Sequence, residues 1–261
     1  MTGSGVGWGL SRLLPVALVA GLGLGACGST EPGPPAVAEV PSAVPATPSA
    51  VSVAPSEAVR VAPVRSSISK AGLDYFFAIA LGSEYGSKIK VVTMWDKPVV
   101  TVRVHGGSAK SRDCLNKVIA DFNGLTATTD LKVAPGVADI ELHFVPASQF
   151  RAIVPSATPG SNGYFQREWS YKYEMTSATV LVRSTGVSEK FRCHLIREEM
   201  TQAMGLGKDS VKYPDSVFYD KSGPNPTRYS ALDKEIIRLL YGGTVRPGDG
   251  EGVIRQTVTV K

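Results

Sequence analysis

Between Gly28 and Arg65 the chain carries no aromatic residue and no apolar period, and proline recurs every few positions. Such a segment cannot bury enough apolar surface to offset its ordering entropy. Pro-rich chain favours extended, polyproline-like conformers that rise about 3.1 Å per residue. The segment reads as a spacer reaching on the order of 100 Å or less, or equally as neutral low-complexity sequence. Both readings predict disorder, so a packed core has to come from residue 66 onward.

The residues ahead of the spacer have the layout of an export signal. Arg12 precedes the apolar run Leu13-Leu14-Pro15-Val16-Ala17-Leu18-Val19-Ala20. That run is too short and too broken by glycine for a stable membrane-spanning helix. It ends in Leu24-Gly25-Ala26-Cys27, which resembles the bacterial lipobox. The resemblance implies cleavage before Cys27, a diacylglycerol on its sulfur and often an acylated amine. Two or three acyl chains anchor stably, whereas one does not. An ordinary signal peptide with an incidental cysteine is the plainer alternative. Gly28 follows the cysteine, and with no Asp there an outer-membrane destination is open in a Gram-negative cell. The expected divisions are a signal peptide at 1–26, a lipidated Cys27 and tether at 27–65, a globular domain at 66–246 and a loose tail at 247–261.

The formal net charge is +5, with Lys and Arg scattered rather than clustered. Nucleic-acid binding needs a basic run or stripe, so nucleic acid is not an expected partner.

From residue 66 the texture turns globular. Leu73 to Ala80 is a short apolar helix candidate. Ile89 to Met94 and Val99 to Val104 are β-branched runs that read as two strands around Asp96-Lys97-Pro98. In 111–123, Leu115, Val118, Ile119 and Phe122 fall at helical spacing, and Asn123-Gly124 is a stop. Residues 139–145 alternate strictly, with Ile140, Leu142 and Phe144 on one face. A Pro/Gly/Ser loop follows, then a strand at Thr179 to Val182 and a helix from Glu189 to Met204. Leu232, Ile236, Ile237, Leu239 and Leu240 give a last helix stopped by Gly242-Gly243, and the tail after Pro247 reads as loose or an edge strand. Strands and helices mix without regular alternation, which predicts one α+β domain.

The segment Glu198-Glu199-Met200-Thr201-Gln202-Ala203-Met204-Gly205-Leu206-Gly207-Lys208-Asp209 resembles a degenerate form of the metzincin motif H-E-x-x-H-x-x-G-x-x-H. In that motif two His one helical turn apart bind zinc, the adjacent Glu activates water, and the Gly turns the chain so that a third His reaches the metal. Aligned on Gly205, Glu198 stands at the first His, Glu199 at the catalytic Glu, Gln202 at the second His and Lys208 at the third. Ser216-Val217-Phe218-Tyr219 resembles the matrixin Met-turn, with Phe218 in the Met position. Leu232 to Gly242 resembles the matrixin closing helix, and Ala138 to Phe144 the strand before the edge. The stretch from Arg197 to Leu206, with Pro214 to Tyr219, is still more similar to a bacterial envelope family, domain of unknown function 2927. The resemblance implies a zincin-like α+β domain with a mixed twisted sheet, two long packed helices and a C-terminal helix, and it supplies no substrate.

The zinc ligands are missing from that frame. Glu198 can ligate, Gln202 is a poor neutral donor, and Lys208 has the wrong sign beside a dication. No metal or other cofactor is therefore expected at the inherited place. His194 and Glu198 share a helix face and form two ligands of a different site, with His143 as a third, or a local ion pair. His105 reads as a turn residue beside Gly106-Gly107. Glu199 would be the general base in an active peptidase, and otherwise caps or pairs locally. Lys208 is expected either to fill the vacated metal position, paired with Glu198 or Glu199, or to point into solvent.

Export places Cys114 and Cys193 in an oxidising compartment. The resemblance sets them on the two packed helices, which implies a disulfide between them. The functions expected are a non-catalytic binding or structural module, a metallopeptidase-like hydrolase acting on peptides or envelope polymers, or an inhibitor or assembly factor. The partners are the membrane, through the lipid on Cys27, and an envelope protein or polymer.

Overall fold

Alternation along one strand decides the centre of the molecule. In the computed structural model, which describes residues 66–81, 89–221, 223 and 225–261, Ile140, Leu142 and Phe144 are buried while Glu141, His143 and Val145 are half-buried. The expected signal peptide, Cys27 and the tether lie outside the described residues. Among the described residues no helix is long and apolar enough to cross a membrane.

In chain order the elements are β1 (Ser67–Ile68), α1 (Lys70–Ala80), β2 (Val99–His105), α2 (Ala109–Asn123), β3 (Asp130–Val133) and β4 (Ile140–Val145). A 3-10 turn (Ala147–Gln149) and α3 (Phe150–Ile153) follow, then β5 (Gly163–Trp169), β6 (Met175–Arg183), α4 (Glu189–Gln202), α5 (Ala231–Tyr241), α6 (Glu251–Thr257) and β7 (Thr259–Val260). Five strands form one sheet in the order β3-β2-β4-β6-β5. All its pairings are parallel except β5 with β6, so the sheet is mixed and β5 is an antiparallel edge. The α+β class and the order strand, edge strand, helix, turn and closing helix are those of the zincin-like expectation.

Val100, Val102, Ile140, Leu142, Val180 and Val182 carry one face of the sheet into the core. α4 packs against β5 and β6 on one side and α2 on the other. The helices start on side-chain caps: Ser108, Ser188 and Ser230 each accept a hydrogen bond from a backbone N–H three residues on. Cys114 of α2 and Cys193 of α4 form the expected disulfide, with Cα atoms 5.8 Å apart. Residues 150–157 fold over part of the opposite face, where Phe150, Val154, Ala157, Tyr164 and Leu181 make a second, smaller core. The rest of that face is polar.

Several expectations need correction. Ile89 to Met94 is not a strand paired with β2. It makes only isolated bridges, Val91 to Gly250 and Met94 to Glu174, because its partners are distant in sequence. The loop reading after residue 145 overlooked β5. Of the two readings of the tail after Pro247, loose or an edge strand, the loose one fails: α6 buries Ile254, Val258 is also buried, and the chain ends in strand β7, paired in parallel with β1. His105 is the last residue of β2 rather than a turn residue, and the turn begins at Gly106, with φ +73°.

Candidate binding cleft

α4 is unusual in what it buries. Arg192, His194, Arg197, Glu199, Thr201 and Gln202 all lie below the surface on this one helix. Buried polar groups need partners, and most of these are built in. Arg192 donates to Glu189 and to the carbonyls of Arg183 and Ser184. Arg197 donates to Asp121 Oδ2 at 2.6 Å and stacks over Tyr229. Thr201 is bonded to the Arg197 carbonyl and to Tyr229. The other side of the helix borders a cleft of about 700 Å³.

His194, Glu198, Glu199 and Gln202 line this cleft from the helix. His194 donates from Nδ1 to the Pro226 carbonyl at 2.9 Å, which leaves Nε2 facing Glu198 Oε2 at 3.4 Å. Burial lowers the His194 pKa, and the bond to Pro226 recovers part of that shift. Glu199 presses its carboxylate against Gly163 at the start of the edge strand, where a Cβ would collide with Oε1. Asn162 and Gly163 expose that end of β5 to the cleft.

The turn after α4 shapes the far wall. Gly205 adopts φ +119°, and a side chain there would strike the Thr93 carbonyl. Trp95 Nε1 donates to the Ala203 carbonyl and Tyr241 Oη to the Met204 carbonyl, which fixes the exit path. The chain then delivers Asp209, not Lys208, to the cleft. Asp209 Oδ1 accepts from Gln202 Nε2 at 2.6 Å. Lys208 is half-exposed, lies off the lining, and makes no ion pair with Glu198 or Glu199 among the described residues. Of the two expectations for Lys208, an ion pair with Glu198 or Glu199 is not formed among the described residues and the half-exposed position is nearer the solvent alternative; the next residue, Asp209, lines the cleft and bonds to Gln202. Arg167, whose guanidinium packs against Gly207 and donates to the Gln202 carbonyl, holds the same turn from β5. Burial lowers its pKa to about 10.

Below the cleft, Ser216-Val217-Phe218-Tyr219 turns as the resemblance implied, and Phe218 is fully buried. Asp233 of the closing helix organises it, accepting from Ser216 Oγ and from the Val217 and Ser230 amides. Tyr219 and Asp220 come from this turn to the cleft, joined by Lys221.

The donors present do not fit the zinc of a metzincin. Gln202 is committed to Asp209, and no imidazole stands in the places of the second and third His. His143 does not join His194 and Glu198; it stacks on His105 instead. Asp209 and Arg167 escape a reading of the sequence because a loop side chain has no period to reveal its direction, and a buried Arg in an edge strand looks like a solvent-facing one.

Among known proteins, no curated chain matches. Two solved structures of myroilysin are similar at 13% identity each. One covers 58% of this chain and 83% of its own at a TM-score of 0.38, the other 68% and 97% at 0.42. Residues 70–259 match the family described as Protein of unknown function (DUF2927), and the chain, matched over well more than half its length, belongs to that family.

Proposed function

We propose that this is a non-catalytic recognition module of the cell envelope, lipid-anchored through Cys27, whose cleft takes a cationic, extended segment of a peptide or envelope polymer. The observation that carries the reading is the charge of the lining. Among its described residues, Glu198, Glu199, Asp209 and Asp220 are carboxylates and Lys221 is basic, in a chain of net charge +5. A concave wall of one sign focuses its field on an oppositely charged group. The edge strand β5 opens beside it, and an extended segment can add to such an edge through main-chain hydrogen bonds. A lone carboxylate base without a metal is a weak amide hydrolase, which favours binding over cleavage.

The test is fluorescence anisotropy with the purified full chain and labelled extended peptides, alike but for Lys, neutral or Glu side chains. Lys peptides should bind tightest, and Glu199→Gln and Asp209→Asn should each weaken them about tenfold, as loss of a charge-assisted bond does. Equal binding of Lys and Glu peptides would remove the reading. Turnover of the peptide, lost in Glu199→Gln, would replace it with the hydrolase.

A further inference from the structure

Parallel pairing of β2 with β4 sets His105 directly beside His143 and Arg103 beside Glu141. These residues alternate with Val102 and Leu142, so they project from the sheet face opposite the main core. The two imidazoles stack with centroids 4.2 Å apart and planes 6° from parallel. Glu141 Oε2 joins them, accepting from His105 Nε2 at 2.6 Å and from Arg103 Nε at 2.8 Å. One ligand atom each from His105, Glu141 and His143 lies within 4.8 Å of the other two.

We propose that His105, Glu141 and His143 bind a divalent transition-metal ion of the zinc type, at a site separate from the cleft. The donor set decides the class of ion. Two imidazoles and a carboxylate suit zinc, copper or nickel, whereas magnesium and calcium call for shells of oxygen. Three protein ligands leave one position of a tetrahedron for water or an outside donor. That position is reachable, since the side chains of His105 and Glu141 are 37% and 23% exposed.

The adjustment required is confined to the side chains, with the two stacked rings unstacking. Zinc bonds of about 2.0–2.1 Å place tetrahedral ligands about 3.3 Å apart. The His105–Glu141 pair would open by less than 1 Å from its present hydrogen bond, while pairs as wide as 4.8 Å would close by about 1.5 Å as the stacked rings turn to converge on the ion. The ion takes the place of the hydrogen bond between His105 Nε2 and Glu141, and the imidazole proton moves to Nδ1, so the ring binds the metal as a neutral ligand. Arg103 stays on Glu141 as an outer partner that fixes the carboxylate, as metal-ligating carboxylates generally require. The backbone contribution is already in place, because strand register, not a mobile loop, sets both His side by side.

The experiment uses the untagged full chain, stripped with a chelator and titrated with zinc chloride in a calorimeter. One ion should bind per chain. His105→Gln, His143→Gln and Glu141→Gln should each weaken binding at least about tenfold, while His194→Gln in the cleft should leave it unchanged. Copper(II) on the unaltered chain gives a readout that needs no ligand variant. The chain has three His in all, and the proposal expects a two-imidazole signal that survives His194→Gln. No binding to the unaltered chain, a one-imidazole signal, or binding indifferent to His143→Gln would overturn it.

Discussion

Gln202 and Asp209 hold each other across the cleft, amide nitrogen to carboxylate oxygen at 2.6 Å. Gln202 is 1% exposed, so its amide has little water to turn to. Asp209→Ala should therefore destabilise the domain by about 1–3 kcal/mol, the cost of leaving a buried polar group unsatisfied. Lys208→Ala, next to it on the chain, should stay within about 0.5 kcal/mol, as surface substitutions do. Urea unfolding of the two variants checks the order, and a larger loss for Lys208→Ala would contradict the assignment of Asp209, rather than Lys208, to the cleft.

Gly163 is fixed by Glu199 rather than by its own backbone. An added methyl would meet the Glu199 carboxylate, so Gly163→Ala should cost about 1–3 kcal/mol through overpacking. The same change in a Glu199→Ala background should cost less, because the colliding group is gone. A double-mutant cycle should give a coupling of about 1 kcal/mol or more. Additive losses would show that Glu199 moves aside without strain.

Much of this architecture is legible in the sequence, and the exceptions share a cause. Ile140, Leu142 and Phe144 alternate because one face of β4 is buried, and Leu232 to Leu240 repeat helically because α5 buries one stripe. Local period is enough for both. Ile89 to Met94 has the same β-branched composition as β2, yet its partners sit at Glu174 and Gly250, and composition does not encode a distant partner. β5 hides because Arg167 occupies a buried position, where a period-2 reading expects an apolar side chain. The frame of the cleft was legible from Glu198, Glu199, Gln202 and Gly205. The loop residue that reaches the cleft was not, since which of the neighbours Lys208 and Asp209 faces it depends on how an irregular backbone turns them.

The Cys114–Cys193 bridge spans a sequence separation of 79. Cross-linking so long a loop restricts the unfolded chain, and replacing both cysteines by Ser should cost about 2–5 kcal/mol. The denaturation midpoint of the double variant in urea measures it directly. An unchanged midpoint would mean that packing of α2 on α4 carries the junction alone.

Lipid anchoring is tested by Cys27→Ala in the native host. The variant should accumulate as unprocessed precursor or be released in soluble form, and it should take up no labelled fatty acid. Normal maturation and membrane retention would remove Cys27 as the anchor.

Asp139 gives the clearest pH dependence. Its carboxylate accepts from Lys97 Nζ, at 2.8 and 2.9 Å to its two oxygens, and from the amide and hydroxyl of Thr101 at 2.8 Å each. Burial pushes its pKa up, but the Lys97 and Thr101 bonds together outweigh burial, and the folded value lies below the ordinary one. A carboxylate depressed by folding stabilises the native state above its unfolded pKa, about 3.9, and that contribution is lost as pH falls through the folded value. Asp139→Asn removes the charge while keeping the shape. It should cost about 1.5–3 kcal/mol at neutral pH, the range for hydrogen bonds to a charged group. The gap between the two proteins should hold steady from pH 7 to about 5 and close progressively below about pH 4. Thermal unfolding across that range reads the effect, and a gap that persists undiminished at pH 2 would show that Asp139 acts through packing rather than charge.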